Sequence, residues 1–314
     1  MSAVRETQRG HAGDIDLVGV AAELRALRAA SQSRRYRGST PPLPSREIVI
    51  EIVSALVSAL YPRHFGPPDL APDGVDPFVV RTLEPALEAL KRQIELELAL
   101  AREWKGESRI DTPLRAGDAA RDFAAKLPRV RALLDSDLRA AFEGDPSAKS
   151  IDEIIFCFPG FAAIARHRLA HLLYDLGVGM IARIIAEHAH SATGIDIHPG
   201  ASIGERFFID HGTGVVIGET AIIGRNVRLY QAVTLGAKRF EAGADGALAK
   251  NYPRHPIVED DVVIYAGATV LGRVTIGKGS SIGGNVWLTR DVPPGSIITQ
   301  AKARYDAFDD GAGI

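Results

Sequence analysis

The sequence predicts an α+β protein in which an α-helical N-terminal domain runs into a parallel β-helix. Three observations predict it. In the first 190 or so residues the apolar positions keep helical spacing: Leu83, Leu87, Leu90, Ile94 and Leu98 step by four, three, four and four. From Gly194 the aliphatics instead recur every six residues: Ile197, Ile203, Ile209 and Val215, then, after a two-residue shift, Ile217, Ile223, Leu229 and Leu235. After one polar interruption the same count resumes without a miss through Val258, Ile264, Val270, Ile276, Ile282 and Leu288. A six-residue period suits neither a helix nor a hairpin array. It suits a prism whose flat faces each take one hexapeptide, with each aliphatic pointing inward onto another about 18 residues away.

The elements follow in order. Residues 1–40 are polar and Arg-rich, hold one amphipathic piece near Leu17 to Leu27, and read as partly disordered. The helical domain is expected over 41–193. After Pro41, Pro42 and Pro44, Ser45 caps an apolar run from Ile48 to Leu60 that stops at Tyr61-Pro62. Asp76-Pro77 reads as a cap followed by proline at the first helical position, opening a helix to about Trp104. A further helix is expected over Asp118 to Glu143, kinked or broken at Pro128. Gly160 to His190 is helical again, interrupted near Gly177 and Gly179. The β-helix is expected over 194–298. Its inward positions four after each late aliphatic are small or β-branched: Val262, Ala268, Val274, Ser280, Val286 and Val292. The interruption at 237–256 carries the turn pair Asp245-Gly246 and is expected to leave the prism as a loop. Residues 299–314 form a short tail.

Composition narrows the function. The 314 residues allow about two domains. Thirty-seven Lys and Arg against 39 Asp and Glu give a net charge of −2, which argues against a nucleic-acid footprint. The single cysteine, Cys157, rules out an intrachain disulfide framework and a Cys-rich zinc site, and suits a reducing cytoplasm. Within the run IIFCFPGF it reads as a buried small hydrophobe. No apolar run is long enough for a membrane span, and MSAVRETQRG has no apolar core to act as a secretory signal; a cytoplasmic protein is expected.

Few residues offer chemistry. Of nine histidines, three stand in suggestive settings: His198 in Asp196-Ile197-His198-Pro199, His211 in Asp210-His211-Gly212-Thr213-Gly214, and His255 in Arg254-His255-Pro256, where the interruption rejoins the repeat. Asp196 and His211 are 15 residues apart, which puts them on adjacent coils near a shared edge. A carboxylate there can accept from one ring nitrogen and leave the other free as a base for a hydroxyl nucleophile. His167 and His171, four apart on a helix, lack the glutamate of a zinc-hydrolase motif and read as packing; no metal site is expected. His188 and His190 read as a helix terminus, and Arg34-Arg35-Tyr36-Arg37 as a solvated tail.

With these motifs in hand, the chain resembles the serine O-acetyltransferases of the hexapeptide-repeat class. The parts come in that family's order: Asp145-Pro146, Gly160-Phe161, a helix pair, Asp196-Ile197-His198-Pro199, Asp210-His211-Gly212-Thr213-Gly214, Ile217-Gly218-Glu219-Thr220, Val233-Thr234-Leu235-Gly236 and Arg254-His255-Pro256. The long interruption resembles a long-loop branch with extended N-terminal helices. The resemblance implies a left-handed β-helix, assembled as a trimer or a dimer of trimers, that transfers acetyl from acetyl-CoA to L-serine for cysteine synthesis. It implies His211 as general base and Asp196 as its orienting carboxylate. Asp145 and Asp210 would hold the serine ammonium, and Arg254 and His255 the rest of the amino acid. Gly236, Ala266 and Gly284 would line the acetyl-CoA groove. L-Cysteine would act as feedback inhibitor, and the terminal Ile314 would enter the active site of O-acetylserine sulfhydrylase. Other readings are a hexapeptide acetyltransferase for another small hydroxyl or amine, a non-catalytic scaffold, and a β-helix carbonic anhydrase. The last needs three zinc histidines, typically including a pair five apart, and no such pair occurs after Gly194.

Overall fold

The structure, a computed structural model, describes residues 16–36, 41–106, 110–239, 243, 246–250 and 252–300. The helical half holds α1 (Leu17–Arg35), α2 (Arg46–Leu60), α3 (Pro62–Phe65), α4 (Val75–Lys105), α5 (Thr112–Gly144), α6 (Ile151–Cys157), α7 (Pro159–Asp175) and α8 (Gly179–Thr193). Ser45 caps α2 as its position suggests, its hydroxyl accepting from the Ile48 amide. The core joins one face of α2 (Val49, Ile52, Val53, Leu56) to Leu90 and Ile94 of α4, Phe123, Leu134 and Leu138 of α5, and Leu169 and Leu173 of α7.

Several local expectations are corrected. Asp76 lies inside α4, which starts from Gly74 at Val75, so Pro77 falls in its first turn. Pro128 does not break α5, which begins earlier, at Thr112, and runs unbroken to Gly144. One lost hydrogen bond is outweighed by a continuous buried stripe through Phe123, Leu127, Val130, Leu134 and Leu138. Cys157 is exposed, because it ends α6 on the outward side of buried Ile154 and Ile155. Leu17 to Leu27 is part of a longer helix, α1, that buries no residue. The tail through Ile314 and the Asp245 of the turn pair lie outside the described residues.

Two buried carboxylates fasten elements together, one within the helical half and one between the halves. Glu97 accepts the amides of Met180 and Ile181 at 2.8 and 2.9 Å, capping α8; burial nevertheless pushes its pKa up. Asp137 takes Arg168 in a two-bonded pair (2.7 and 2.8 Å) and also accepts the Phe207 amide. Arg168 spends its remaining donors on the carbonyls of Ile203 and Gly204, so α5, α7 and the first coil of the prism share one network.

The second half is a left-handed parallel β-helix of three sheets. The first face carries β1 (Asp196–Ile197), β4 (Val216–Ile217), β7 (Thr234–Gly236), β10 (Thr269–Leu271) and β13 (Trp287–Leu288). The second carries β2 (Ser202–Ile203), β5 (Ile222–Ile223), β8 (Ile257–Val258) and β11 (Thr275–Ile276). The third carries β3 (Phe208–Ile209), β6 (Arg228–Leu229), β9 (Val263–Ile264), β12 (Ser281–Ile282) and β14 (Ile297–Ile298). Most of the inward series is buried, Ile217, Ile223, Leu229, Leu235, Val258, Ile264, Val270, Ile276 and Ile282 among it, while Ile203 and Leu288 are half-buried. The register shows where the repeat was stretched. Ile217 aligns with Leu235, eighteen residues on, but Ile197 aligns with Ile217, twenty on. The two extra residues lie in the turn from β3 to β4, which carries His211. The larger stretch leaves the prism after Gly236 and re-enters at Ile257 in β8, which lies beside β5.

Candidate active site at two edges of one face

The first face has two long edges, and each carries part of the chemistry. At the entry edge, the enlarged turn holds His211 on a left-handed backbone, φ 58°, with its side chain 69% exposed. Gly212 follows at φ 90°, where an added Cβ would strike Ile195 Cδ1 at 2.4 Å, so the turn needs glycine. The turn is pinned beneath: the Gly214 amide donates to the Gly194 carbonyl at 2.8 Å, and the Asp196 amide to Val215 at 2.8 Å. Asp196 thus sits half-buried on β1, under the strand that leaves the turn.

The side-chain geometry departs from the expected pair. The carboxylate facing the His211 ring is Asp210, 3.6 Å from Nδ1, and the ring makes no hydrogen bond to Asp196. The two extra residues swing His211 outward, away from the strand below. Asp145 joins this edge from the helical side. It ends α5, with its carboxylate accepting from the Ser147 amide and hydroxyl at 2.8 and 2.7 Å. The preceding Gly144 rests against Arg228 and Phe208, the latter two residues before Asp210. Further along the same edge, Ala266 and Gly284 occupy successive corners; the Asn285 amide donates to the Ala266 carbonyl at 2.8 Å.

The exit edge is built differently. Arg254 and His255 pack on the Gly218-Glu219-Thr220 corner. Arg254 pairs with Glu219, whose other oxygen accepts from Tyr174 of α7 at 2.9 Å. Burial works to raise the Glu219 pKa, but the bonds from Arg254 and Tyr174 outweigh it and hold the carboxyl below its usual value. The Thr220 amide donates to His255 Nδ1 at 3.0 Å, and the Thr220 hydroxyl accepts the amides of Arg254 and His255 at 2.9 and 3.1 Å. Because Nδ1 accepts, the neutral ring carries its proton on Nε2. Burial, with Arg254 adding to it, lowers the His255 pKa to about 4. His198, whose Nδ1 accepts from the Gly200 amide at 3.0 Å, is likewise lowered to about 4, chiefly by burial. Gly218 is indispensable to this packing: a Cβ there would lie 2.0 Å from His255 Cδ2. Gly236 ends β7 on this side of the face.

The expected residues therefore fall into two groups. Asp145, Asp196, Asp210, His211, Ala266 and Gly284 gather toward the entry edge; Arg254, His255 and Gly236 lie toward the exit edge. One hexapeptide separates the edges, roughly 20 Å at ~3.3 Å per residue. Tyr174 and Glu219 escaped the sequence reading as site residues. The signals for Glu219 are its place at a corner two after the inward Ile217 and its presence in the Ile217-Gly218-Glu219-Thr220 motif, which carries no assigned role; for Tyr174 there is none, since it reaches the corner from a helix 45 residues earlier. Among the described residues no cluster of His, Cys, Asp and Glu could hold a metal ion, and no helix is long and apolar enough to cross a membrane. His167 and His171 stack at 5.6 Å, with His167 buried and His171 bonded to the Pro199 carbonyl.

The family described as bacterial transferase hexapeptide (six repeats) matches residues 255–290. The protein named serine acetyltransferase, plasmid, of Synechococcus elongatus is 56% identical over 276 residues, covering 87% of this chain and 86% of its own. The chain belongs to the serine acetyltransferase family. The serine acetyltransferase of Mycobacterium tuberculosis is 49% identical over 52% of this chain and 67% of its own. Among solved structures, Entamoeba histolytica serine acetyltransferase 1 in complex with L-cysteine superposes with a TM-score of 0.70 at 34% identity, covering 90% of this chain and 97% of that one. The Neisseria gonorrhoeae serine acetyltransferase in complex with serine gives 0.52 at 26% identity, over 82% and 97%. The identity to the Synechococcus protein spans both the helical half and the prism, so family membership does not rest on the repeat alone.

Proposed function

We infer that the protein is a serine O-acetyltransferase, moving the acetyl group of acetyl-CoA to the hydroxyl of L-serine to give O-acetyl-L-serine and CoA, the entry to cysteine synthesis. The observation that supports it is the sorting of chemistries on one coil. A projecting, solvent-facing histidine stands at one edge; an arginine and a histidine fixed as an N–H donor stand at the other. The first suits a base; the second suits an amino-acid carboxylate. In this reading His211 takes the serine hydroxyl proton as the oxygen attacks the thioester carbonyl. The carbon–sulfur bond then breaks, and the imidazolium returns the proton to the departing thiolate. Asp210 and Asp145 face the serine ammonium, and Asp196 holds the ring once substrate draws it inward. The small residues Ala266 and Gly284 leave the entry edge low, which fits a pantetheine chain running along it, with Gly236 on the facing surface. L-Cysteine, with the same ammonium and carboxylate, competes at this site.

A serine cannot touch two edges roughly 20 Å apart. The catalytic unit is therefore made where the His211 edge of one copy meets the Arg254 edge of the next, as a three-fold assembly provides. Co-expression tests this. Assayed at serine well below the raised KM of Arg254→Ala, His211→Ala and Arg254→Ala chains, each strongly impaired alone, should regain about a quarter of wild-type sites when mixed equally, as random pairing of two copies dictates. Mixed assemblies as impaired as either parent would refute the shared site. We also propose that the tail ending at Ile314 docks O-acetylserine sulfhydrylase; removing Ile314 should abolish that complex in calorimetry and spare serine acetylation.

A further inference from the structure

The helical domain holds a cavity that the acetyl transfer does not use. Its volume is about 340 Å³. Its walls are apolar: Val57 of α2, Phe65 of α3, Ile155 and Phe156 of α6, and Phe161 of α7. Two of the aromatics form an open rim, Phe156 at 60% and Phe65 at 40% exposure. One charged group lines it, Arg166 of α7. That guanidinium donates from Nη1 to the Ala162 carbonyl at 2.8 Å, one turn back, and its Nε is buried with no acceptor. Among the described residues it meets no carboxylate, unlike Arg168 two positions on, which is fully paired with Asp137. Burial lowers the Arg166 pKa with no acidic group opposing it, and the same cation depresses nearby His188, after burial itself.

A cation in apolar surroundings without a counter-charge is costly. Arginine presents a planar fork of donors matched to a carboxylate, and the cavity beside it has the size and apolar lining of a small-molecule site. We propose that this cavity binds a small amphipathic carboxylate, with its anionic head on Arg166 and its apolar body between Phe65, Phe156 and Phe161. The cavity is distinct from the candidate acetyl-transfer site, although Phe161 in its wall adjoins Gly160, which packs on Ile209 beside the entry edge; the proposal is independent of the acetyl-transfer reading.

Octanoate and its neutral counterpart octanamide are suitable probes for calorimetry on the full-length protein. Octanoate should bind at least tenfold more tightly than octanamide, a difference of about 1.4 kcal/mol. Arg166→Gln should erase the preference while leaving octanamide affinity unchanged. Ala162→Trp, which fills the cavity, should abolish binding of both. Serine acetylation by both variants should stay at the wild-type rate, which shows that they are folded. Equal binding of the two probes, no octanoate binding to the wild type, or octanoate binding that survives Ala162→Trp would each overturn the proposal. So would loss of the oligomer in Arg166→Gln, which would assign the groove to a carboxylate of a second copy.

Discussion

The entry and exit edges of the first β-helix face are made from the same repeat, yet they are held very differently. At the exit edge, Arg254 and His255 are locked by Glu219, Thr220 and Tyr174, and His255 is buried. At the entry edge, His211 projects on a two-residue enlargement of the coil, and its nearest carboxylate lies beyond hydrogen-bond reach. The difference matches the two tasks proposed for them. A receptor for a fixed substrate charge gains from rigidity, because ordering costs are met during folding rather than binding. A base must approach a hydroxyl and then a leaving thiolate, and its hydrogen bonds tighten only once substrate is present.

Variants can break this contrast, and their effects should fall in order. His211→Ala should lower kcat by ~10²–10⁴-fold while leaving the KM for acetyl-CoA nearly unchanged; more than about a tenth of wild-type turnover in a coupled assay of CoA release would displace His211 as the base. Arg254→Ala should raise the KM for serine by ~10–100-fold, the loss of a charge-assisted hydrogen bond of ~1.5–3 kcal/mol, with acetyl-CoA unaffected; the reverse pattern would move the pair to the nucleotide side. Glu219→Gln keeps the shape of the clamp and removes its charge, so serine KM should rise on the order of fivefold. Tyr174→Phe should do less, and steady-state kinetics on the pair would show whether the clamp acts as a unit.

A separate effect, read in stability rather than rate, concerns acid. His255 and His198 titrate near 4 in the folded protein and near ~6.5 when unfolded. Between those values the unfolded chain takes up protons that the folded one refuses. The stability tied to these rings is therefore complete above ~6.5 and is lost as pH falls toward 4. Thermal melts at mildly acidic and neutral pH should show a Tm lower in acid, and His255→Asn, which keeps an acceptor toward Thr220, should reduce the difference. A pH-independent Tm would mean that the rings are not held neutral by burial. Over neutral pH the serine KM should show no ionisation from His255.

Much of the architecture is legible in the sequence. The six-residue count requires only that aliphatics face a shared interior, so it survives translation into structure: Val258 to Ile282 are buried at each sixth position. A two-residue slip is visible in the count at Val215 and Ile217, but the structure places the extra residues earlier, in the turn between Ile209 and β4 that projects His211. Helix ends were less legible. Pro128 and Asp76 are strong local signals, but α5 and α4 override them because packing along a long apolar stripe outweighs one missing amide bond or one cap.

The sequence by itself determined the repeat, the class of fold, the family and the residue types available for chemistry, because periodicity and motif order are properties of a linear chain. Only the tertiary structure decided the rest: that Asp210 rather than Asp196 faces the His211 ring, that Tyr174 and Glu219 brace Arg254, and that the base and the arginine stand on different edges. Those facts depend on how coils stack and which helix reaches which corner. Residues 35 or 45 positions apart become neighbours there through packing that no local pattern encodes.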